Sequence, residues 1–286
     1  MATQHTKTIL ITGASDGIGA ASARQLAERG HRVLVAGRSR EKTEAVARET
    51  GATPFIADFG SLADVRRLAD EVKQHLATSD SRGTGLDVLA NNAGGIFGTR
   101  QRTEDGYEKT FQVNHLAPFL LTHELMDDLI RARGSVINTS SIANTLFGRI
   151  DLDDLANDKK YSANKAYGDA KLANILFTRG LHERFHDDGV SSVAFHPGTV
   201  ATNFASDTTS LMRFLYRTPL KRFFLITTEK GGDNLTFFAD GTPGETWLPG
   251  MYYDEKSLST SVNAQVHDEA LVAGLWDRSA EMVGVG

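Results

Sequence analysis

Tyr167 and Lys171, in the run Ala166-Tyr167-Gly168-Asp169-Ala170-Lys171-Leu172-Ala173-Asn174, are the side chains of this sequence whose types and spacing point most directly to chemistry. On a helix, residues four apart stack on one face. An ammonium beside a phenol favours the phenolate and pulls the tyrosine down from its reference near ~10, so that it can exchange a proton near neutral pH. A helix also carries such a pair by chance, and this one needs a cofactor and a partner group to mean anything. Tyr161 and Lys165 repeat the spacing six positions upstream. Six residues turn a helix by about 600°, so the two pairs face different ways and spacing alone does not choose between them. A third pattern, His182-Glu183-Arg184-Phe185-His186, matches the zinc-protease signature with two histidines one turn apart. It falls just before Asp187-Asp188-Gly189, where a helix end and solvent are expected, and no third ligand is signalled.

What must position the tyrosine is bounded by length and composition. The 286 residues suffice for one large α/β domain with a well-buried core and are short for two. The formal charge of -5, from 31 basic and 36 acidic residues without a basic block, gives no footprint for nucleic acid. There is no cysteine, hence no disulfide, thiolate-bound zinc or iron–sulfur cluster. The N-terminus is polar and the apolar Thr8 to Ile11 is too short for a signal peptide or membrane span, so a cytoplasmic protein is expected.

The cofactor candidate lies near the N-terminus. Thr8-Ile9-Leu10-Ile11 reads as a strand that runs into Thr12-Gly13-Ala14-Ser15-Asp16-Gly17-Ile18-Gly19 and an Ala-rich helix to about Arg29. In such a unit Gly13 allows the tight turn, Gly17 lets the backbone approach a pyrophosphate, Gly19 lets helix and strand pack, and the helix N-terminus faces the anion. The next strand, Arg32 to Ala36, ends at Gly37-Arg38. An acid there would bind the ribose 2′-hydroxyl of NAD; instead Arg38 and Arg40 offer to pair a 2′-phosphate, which favours NADP(H) while leaving NAD(H) possible. Asp58, at the end of a third strand from Thr53, is placed either to accept from the adenine amino group or to cap the helix from Ser61. Thr78 to Gly85 reads as a surface loop.

Leu86-Asp87-Val88-Leu89 leads to Asn91-Asn92-Ala93-Gly94, and here the pattern becomes specific. The glycine turn, Asn91 to Gly94, Asn114 in Val113-Asn114-His115, the serines after Val136-Ile137-Asn138, Tyr167 with Lys171, and Pro197-Gly198-Thr199-Val200-Ala201-Thr202 occur in the order of the short-chain dehydrogenase/reductase family, which the chain resembles over residues 8 to 202. Gly250-Met251-Tyr252-Tyr253, Leu275-Trp276-Asp277 and Leu152-Asp153-Asp154-Leu155 look like its retinol-dehydrogenase-like branch. The resemblance implies a Ser-Tyr-Lys-Asn site at Ser141, Tyr167, Lys171 and Asn114: serine steadying the substrate oxygen, tyrosine as acid/base, lysine on the nicotinamide ribose, asparagine ordering a water in a proton relay. Ser141 is preferred to Ser140 because it precedes Ile142-Ala143, and Tyr167 to Tyr161 because Leu172-Ala173-Asn174 is the family's continuation. The same resemblance implies cofactor contacts at Gly13, Ser15, Gly17, Ile18, Gly19, Arg38, Asp58, Phe59, Asn91, Ala93, Gly94, Tyr167, Lys171, Pro197, Gly198, Val200 and Thr202. His196 is expected to pack, and the loop Phe147 to Lys160 looks inserted.

The apolar, aromatic stretch Asn203 to Thr228 sits where the family keeps a substrate lid; a subunit interface or a membrane surface are the competing readings. A helix from Glu229, a strand near Met251 to Tyr253 and a last helix ending in Trp276 complete the chain. The expected fold is a doubly wound, Rossmann-type, mostly parallel sheet with helices on both faces, forming a single domain over 1–286. The expected function is NADP(H)-dependent hydride transfer to or from a bulky apolar carbonyl or alcohol such as a retinoid, steroid or polycyclic ketone. An NADP-sensing binding protein without turnover is the rival, and a zinc hydrolase ranks third. By analogy the chain pairs as a homodimer or homotetramer through long helices flanking the sheet.

Overall fold

The computed structural model describes residues 6–79, 85–198 and 227–285. Eight strands form one sheet in the order β3-β2-β1-β4-β5-β6-β7-β8. They are β1 Thr8–Thr12, β2 Arg32–Gly37, β3 Thr53–Ile56, β4 Val88–Asn91, β5 Ser135–Thr139, β6 Ser191–His196, β7 Tyr252–Asp254 and β8 Ser257–Leu258. All neighbours pair in parallel except β7 and β8, which form an antiparallel edge. The strand order reverses between β1 and β4, so the carboxyl ends of β1, β4, β5 and β6 surround the crevice where such sheets bind ligands.

The sheet is buried on both faces, which is why its strands read as near-continuous apolar runs. In β1, Leu10 points into one core layer with Leu34, Leu89, Val136 and Ala194, whereas Ile9 and Ile11 point into the other with Val33, Val35 and Val193. Helices α1 (Gly17–Glu28) and α2 (Arg40–Thr50) cover the second face together with α9 (Thr228–Asp240). The first face is covered by α3 (Leu62–Ser79), α5 (Ala117–Glu124), α8 (Ala163–Phe185) and α10 (Glu269–Val283). Three shorter helices, α4 (Lys109–Phe111), α6 (Met126–Ala132) and α7 (Ala143–Phe147), complete the set used below.

Two expectations are corrected, and one strand was not foreseen. Helix α3 continues through Ser79, so Thr78 and Ser79 are helical rather than loop. Helix α10 runs past Trp276 to Val283, where Gly284 closes it in a left-handed cap (φ 68°). The edge strand β8 is too short and too exposed to leave a periodic signal. The stretch proposed as a lid lies outside the described residues up to position 226, and so do Thr199, Val200 and Thr202.

Candidate active site

The glycine turn is held by side chains on both flanks. Thr12, the last residue of β1, accepts from the backbone N–H groups of Asn92 and Ala93 (3.0 Å each) and donates to the Ala90 carbonyl (3.2 Å). Asn92 returns the contact, donating from Nδ2 to the carbonyls of Thr12 (3.0 Å) and Gly13 (3.4 Å). Gly13 and Gly17 take positive φ (65° and 58°), and a Cβ on Gly19 would stand 2.5 Å from the Gly13 carbonyl oxygen. Ser15 abuts Gly37 at the end of β2, and Ile18 packs half-buried on the second core layer. Asp16 is the N-cap of α1, accepting from Gly17 N (2.8 Å), and its other oxygen pairs with Lys42 Nζ (3.0 Å). The Lys42 hydrogen bond, then that of Gly17, holds Asp16 below the usual carboxylate range. Arg40 pairs with Glu44 (3.1 Å), while exposed Arg38 makes no ion pair among the described residues.

Asp58 does not cap α3: its Oδ1 accepts from Gly60 N (2.9 Å) in a tight turn, and Ser61 does the capping by accepting from Asp64 N (3.4 Å). The Phe59 ring is buried in the first core layer, and its carbonyl accepts from Gln112 Nε2 (3.5 Å). Asn91 likewise turns its amide inward, donating to Thr122 Oγ1 and Asn138 Oδ1 (3.0 Å each).

The tyrosine and lysine come from α8, which starts after Ser162, an N-cap accepting from Lys165 N (3.2 Å). Tyr167 is half-buried, and Lys171 Nζ lies 5.5 Å from its ring centroid. Lys171 itself is 2% exposed and donates to the Thr139 carbonyl at 3.0 Å. It has no carboxylate partner among the described residues, and burial alone pulls its ammonium down to about 7. Gly94 must be glycine here: a Cβ would fall 2.4 Å from Asn114 Oδ1 and 3.2 Å from Lys171 Nζ, which also shows that the three residues share one spot.

Asn114 sits fully buried in a π-helical turn, Gln112–Leu116, between α4 and α5. Both of its amide protons are committed, to the carbonyls of Gly95 and Thr110 (2.8 Å each), and Oδ1 accepts from Gly95 N (3.1 Å). The two serines separate cleanly. Ser140 is buried and donates to the Lys171 carbonyl (2.7 Å), whereas half-buried Ser141 accepts from Ala143 N (3.2 Å) and keeps its hydroxyl proton for another acceptor.

Sequence reasoning missed Asn144 and Tyr252. Asn144 Nδ2 donates to the Ser141 carbonyl (2.7 Å) and to Tyr252 Oη (3.1 Å), and Asn263 in turn donates to the Asn144 carbonyl (2.7 Å). Burial, then Asp254, pushes the Tyr252 phenol well above its ordinary value, and Tyr167 is close enough to add to the shift. An asparagine three residues after Ser141 was the available signal for a local return bond; Tyr252 arrives only through the pairing of β7 with β6. The other patterns do not assemble. Tyr161 precedes α8 and is not part of a helical pair at all. His182 and His186 stack with centroids 4.5 Å apart, and no group of three metal-ligating side chains occurs among the described residues.

Residues 7–212 match the family model described as short chain dehydrogenase. The chain belongs to the short-chain dehydrogenase/reductase family. A protein of Streptomyces sp. (strain C5) assigned by name as a daunorubicin C-13 ketoreductase is 42% identical, over 97% of this chain and 93% of its own. Human retinol dehydrogenase 11 is 37% identical over 98% of this chain and 86% of its own, which places the chain in the retinol-dehydrogenase-like branch. Among solved structures, an uncharacterized protein from Mycobacterium paratuberculosis superposes with a TM-score of 0.75 at 30% identity, covering 99% of this chain and 97% of that one. An NADPH-bound carbonyl reductase from chicken fatty liver shares the fold (TM-score 0.66, 19% identity, 90% of this chain and 100% of that one). Membership makes the protein a hydride-transfer oxidoreductase using a nicotinamide cofactor and a small-molecule substrate. The residues fit that cofactor: the crowded glycine turn leaves backbone exposed at a helix N-terminus, and the buried Lys171 ammonium has donors left for hydroxyl groups. No described helix is long and apolar enough to cross a membrane.

Proposed function

We propose that the protein interconverts a bulky, apolar ketone or aldehyde and its alcohol with NADP(H), using Tyr167, Lys171, Ser141 and Asn114. The observation that carries this reading is the Lys171 ammonium, buried beside Tyr167 with a carbonyl and, among the described residues, no carboxylate to support it. Burying a cation so poorly compensated costs stability, and a functional site is where such a cost is retained.

When bound, the nicotinamide supplies or receives the hydride. The turn from Gly13 to Gly19 would hold the pyrophosphate, Lys171 the nicotinamide ribose, and the backbone of Asn91, Ala93, Gly94, Pro197 and Gly198 the rest. In the reducing direction Tyr167 gives its proton to the substrate oxygen, and the nearby ammonium stabilises the phenolate left behind. Ser141 donates its free hydroxyl proton to the same oxygen as negative charge develops there. Asn114 fixes the strand end at Gly94 and Gly95 against Lys171, and keeps one lone pair on Oδ1 for a water.

Two features support the finer reading. Arg38 follows β2 without an ion pair among the described residues, and no acid stands at Ala36, Gly37 or Arg38. Ile142, Leu146 and Phe147, in the segment that follows Ser141, are 49%, 62% and 46% exposed, apolar surface of the kind a bulky apolar substrate would cover. The test is a panel of ketones and aldehydes with NADPH and NADH, followed by absorbance of the reduced nicotinamide. Turnover of bulky ketones with NADPH is expected. Tight NADPH binding without turnover of any of them would favour the rival, a cofactor-sensing protein.

A further inference from the structure

A line of buried polar groups joins the C-terminal helix to the Lys171 ammonium. Ser279 of α10 is fully buried, and its Oγ lies 2.9 Å from His115 Nε2. His115 Nδ1 lies 3.4 Å from Asn174 Oδ1, and Asn174 Nδ2 donates at 3.1 Å to the Thr139 carbonyl, the same oxygen that receives Lys171 Nζ. Lys171 and Asn174 stand three apart on α8, so both reach one oxygen at the end of β5. We infer that Ser279, His115 and Asn174 are positioning residues that hold the Thr139 carbonyl, and through it the Lys171 ammonium, in place for the reaction.

The direction of every bond in the line follows from its ends. A carbonyl only accepts, so Asn174 must present Nδ2 to Thr139 and Oδ1 to the imidazole. His115 must then carry its proton on Nδ1, and Nε2 is left to accept from the Ser279 hydroxyl. A flipped amide would set Oδ1 against the Thr139 carbonyl, and the other tautomer would set two acceptors face to face at Asn174. The Thr139 carbonyl therefore sets the amide, the amide sets the tautomer, and Ser279 completes the line by satisfying the Nε2 that this tautomer leaves as an acceptor, which holds the imidazole and the amide in place. The imidazole is enclosed by the rings of Phe111, Phe119 and Phe177 (centroids 5.1, 6.2 and 6.0 Å), with no charged group of the described residues acting on it. Burial lowers it to about 4, so it stays neutral and keeps one tautomer at any working pH. A polar network serving only fold specificity would not need to end on the carbonyl that supports a buried cation.

The inference rests on the reading of Lys171 as the active-site cation, and its test separates the two. In apoprotein labelled with 13C at the lysine ε carbon, the Lys171 signal should titrate near 7. Ser279→Ala should lower that midpoint, because a misplaced carbonyl supports the charged form less well, and Ser279→Thr should restore it. In the pH profile of kcat/KM for alcohol oxidation with NADP+, where Tyr167 must be deprotonated to act as base, Ser279→Ala should move the Tyr167 limb upward and cost about tenfold at a fixed pH on its flank, equivalent to one unit. Asn174→Ala should do the same more strongly, and adding Ser279→Ala to it should change neither midpoint further. Unchanged midpoints in Ser279→Ala, or shifts that add in the double variant, overturn the relay. An active Tyr167→Phe enzyme would instead remove the site reading beneath it.

Discussion

Tyr161 with Lys165 and Tyr167 with Lys171 have the same composition and spacing within one eleven-residue window, yet the structure gives them opposite electrostatics. Lys165 is paired with Asp169 at 2.5 Å and donates to the Arg149 carbonyl. Tyr161 is held above its ordinary pKa by burial, then by Glu108, which keeps its proton on. Lys171 has a carbonyl and no carboxylate among the described residues, and its cation is left to act on the neighbouring phenol. What distinguishes a reactive pair is therefore not the two residues but what else neutralises the cation. A lysine already answered by an aspartate has little left to give a tyrosine.

The sharpest way to break this comparison is at the phenols. Tyr167→Phe should lower kcat about 10³-fold while NADPH still binds, since only the transferable proton is lost. Tyr161→Phe should leave kcat unchanged. An inactive Tyr161→Phe enzyme with an active Tyr167→Phe one would reverse the assignment of the site.

The lysines should differ in a property that needs no turnover. Lys171 is depressed from 10.5 to about 7 in the folded state by burial. Below about 7 both folded and unfolded chains carry the charge, and the folded state bears its full burial cost. From about 7 to 10.5 the unfolded chain holds a proton the native state has shed, so stability rises with pH across that window. Lys171→Met should then stabilise the apoprotein by roughly a few kcal/mol below pH 7, a gain that fades towards pH 10. Lys165→Met should destabilise it instead, because it strands buried Asp169, whose carboxyl burial already raises. Thermal midpoints of both variants across pH 6 to 10 decide the matter, and a Lys171→Met protein with no pH-dependent gain would sink the account of a costly buried cation.

The same rule reads the basic residues around the glycine turn. Lys42 is answered by Asp16, whereas Arg38 has no ion pair among the described residues. Arg38→Ala should therefore raise KM for NADPH about tenfold or more, with little change for NADH, as expected for loss of a charge-assisted contact. Equal effects on both cofactors would remove the argument for NADP(H).

How much of this was legible beforehand follows the range of the interactions. The sheet, the glycine turn and α8 were readable because period and turn chemistry are local. Ser141 over Ser140 was also readable, and the structure gives the reason: one hydroxyl is spent on the Lys171 carbonyl. That Tyr161 stands outside the helix was readable in principle from Ser162, an ordinary N-cap, but the repeated spacing drew attention away from it. Asn144 to Tyr252 and His115 to Ser279 were not readable, because each bond spans more than a hundred positions and exists only once β7 and α10 have docked. The cap at α3 was not readable for a different reason: a carboxylate at a strand end has several local partners, and Asp58 turns to Gly60 while Ser61 caps the helix.

The smallest expected effect concerns Asp16, which on sequence grounds opposes a 2′-phosphate. In the structure its charge is shared between Lys42 and the first N–H of α1, and those bonds keep it ionised. Removing it outright would also cost the helix cap, worth about 0.5–2 kcal/mol, so alanine confounds two effects. Asp16→Ser keeps a capping oxygen, removes the negative charge and frees Lys42 to turn toward the phosphate. NADPH should bind a few fold more tightly to this variant and NADH no differently, a gain that shrinks as salt is added because both charges are exposed. Combining it with Lys42→Ala should erase the gain. If Asp16→Ser instead weakens NADPH, the Asp16 and Lys42 pair is itself part of the cofactor site, and the division between answered and unanswered cations does not extend to this end of the sheet.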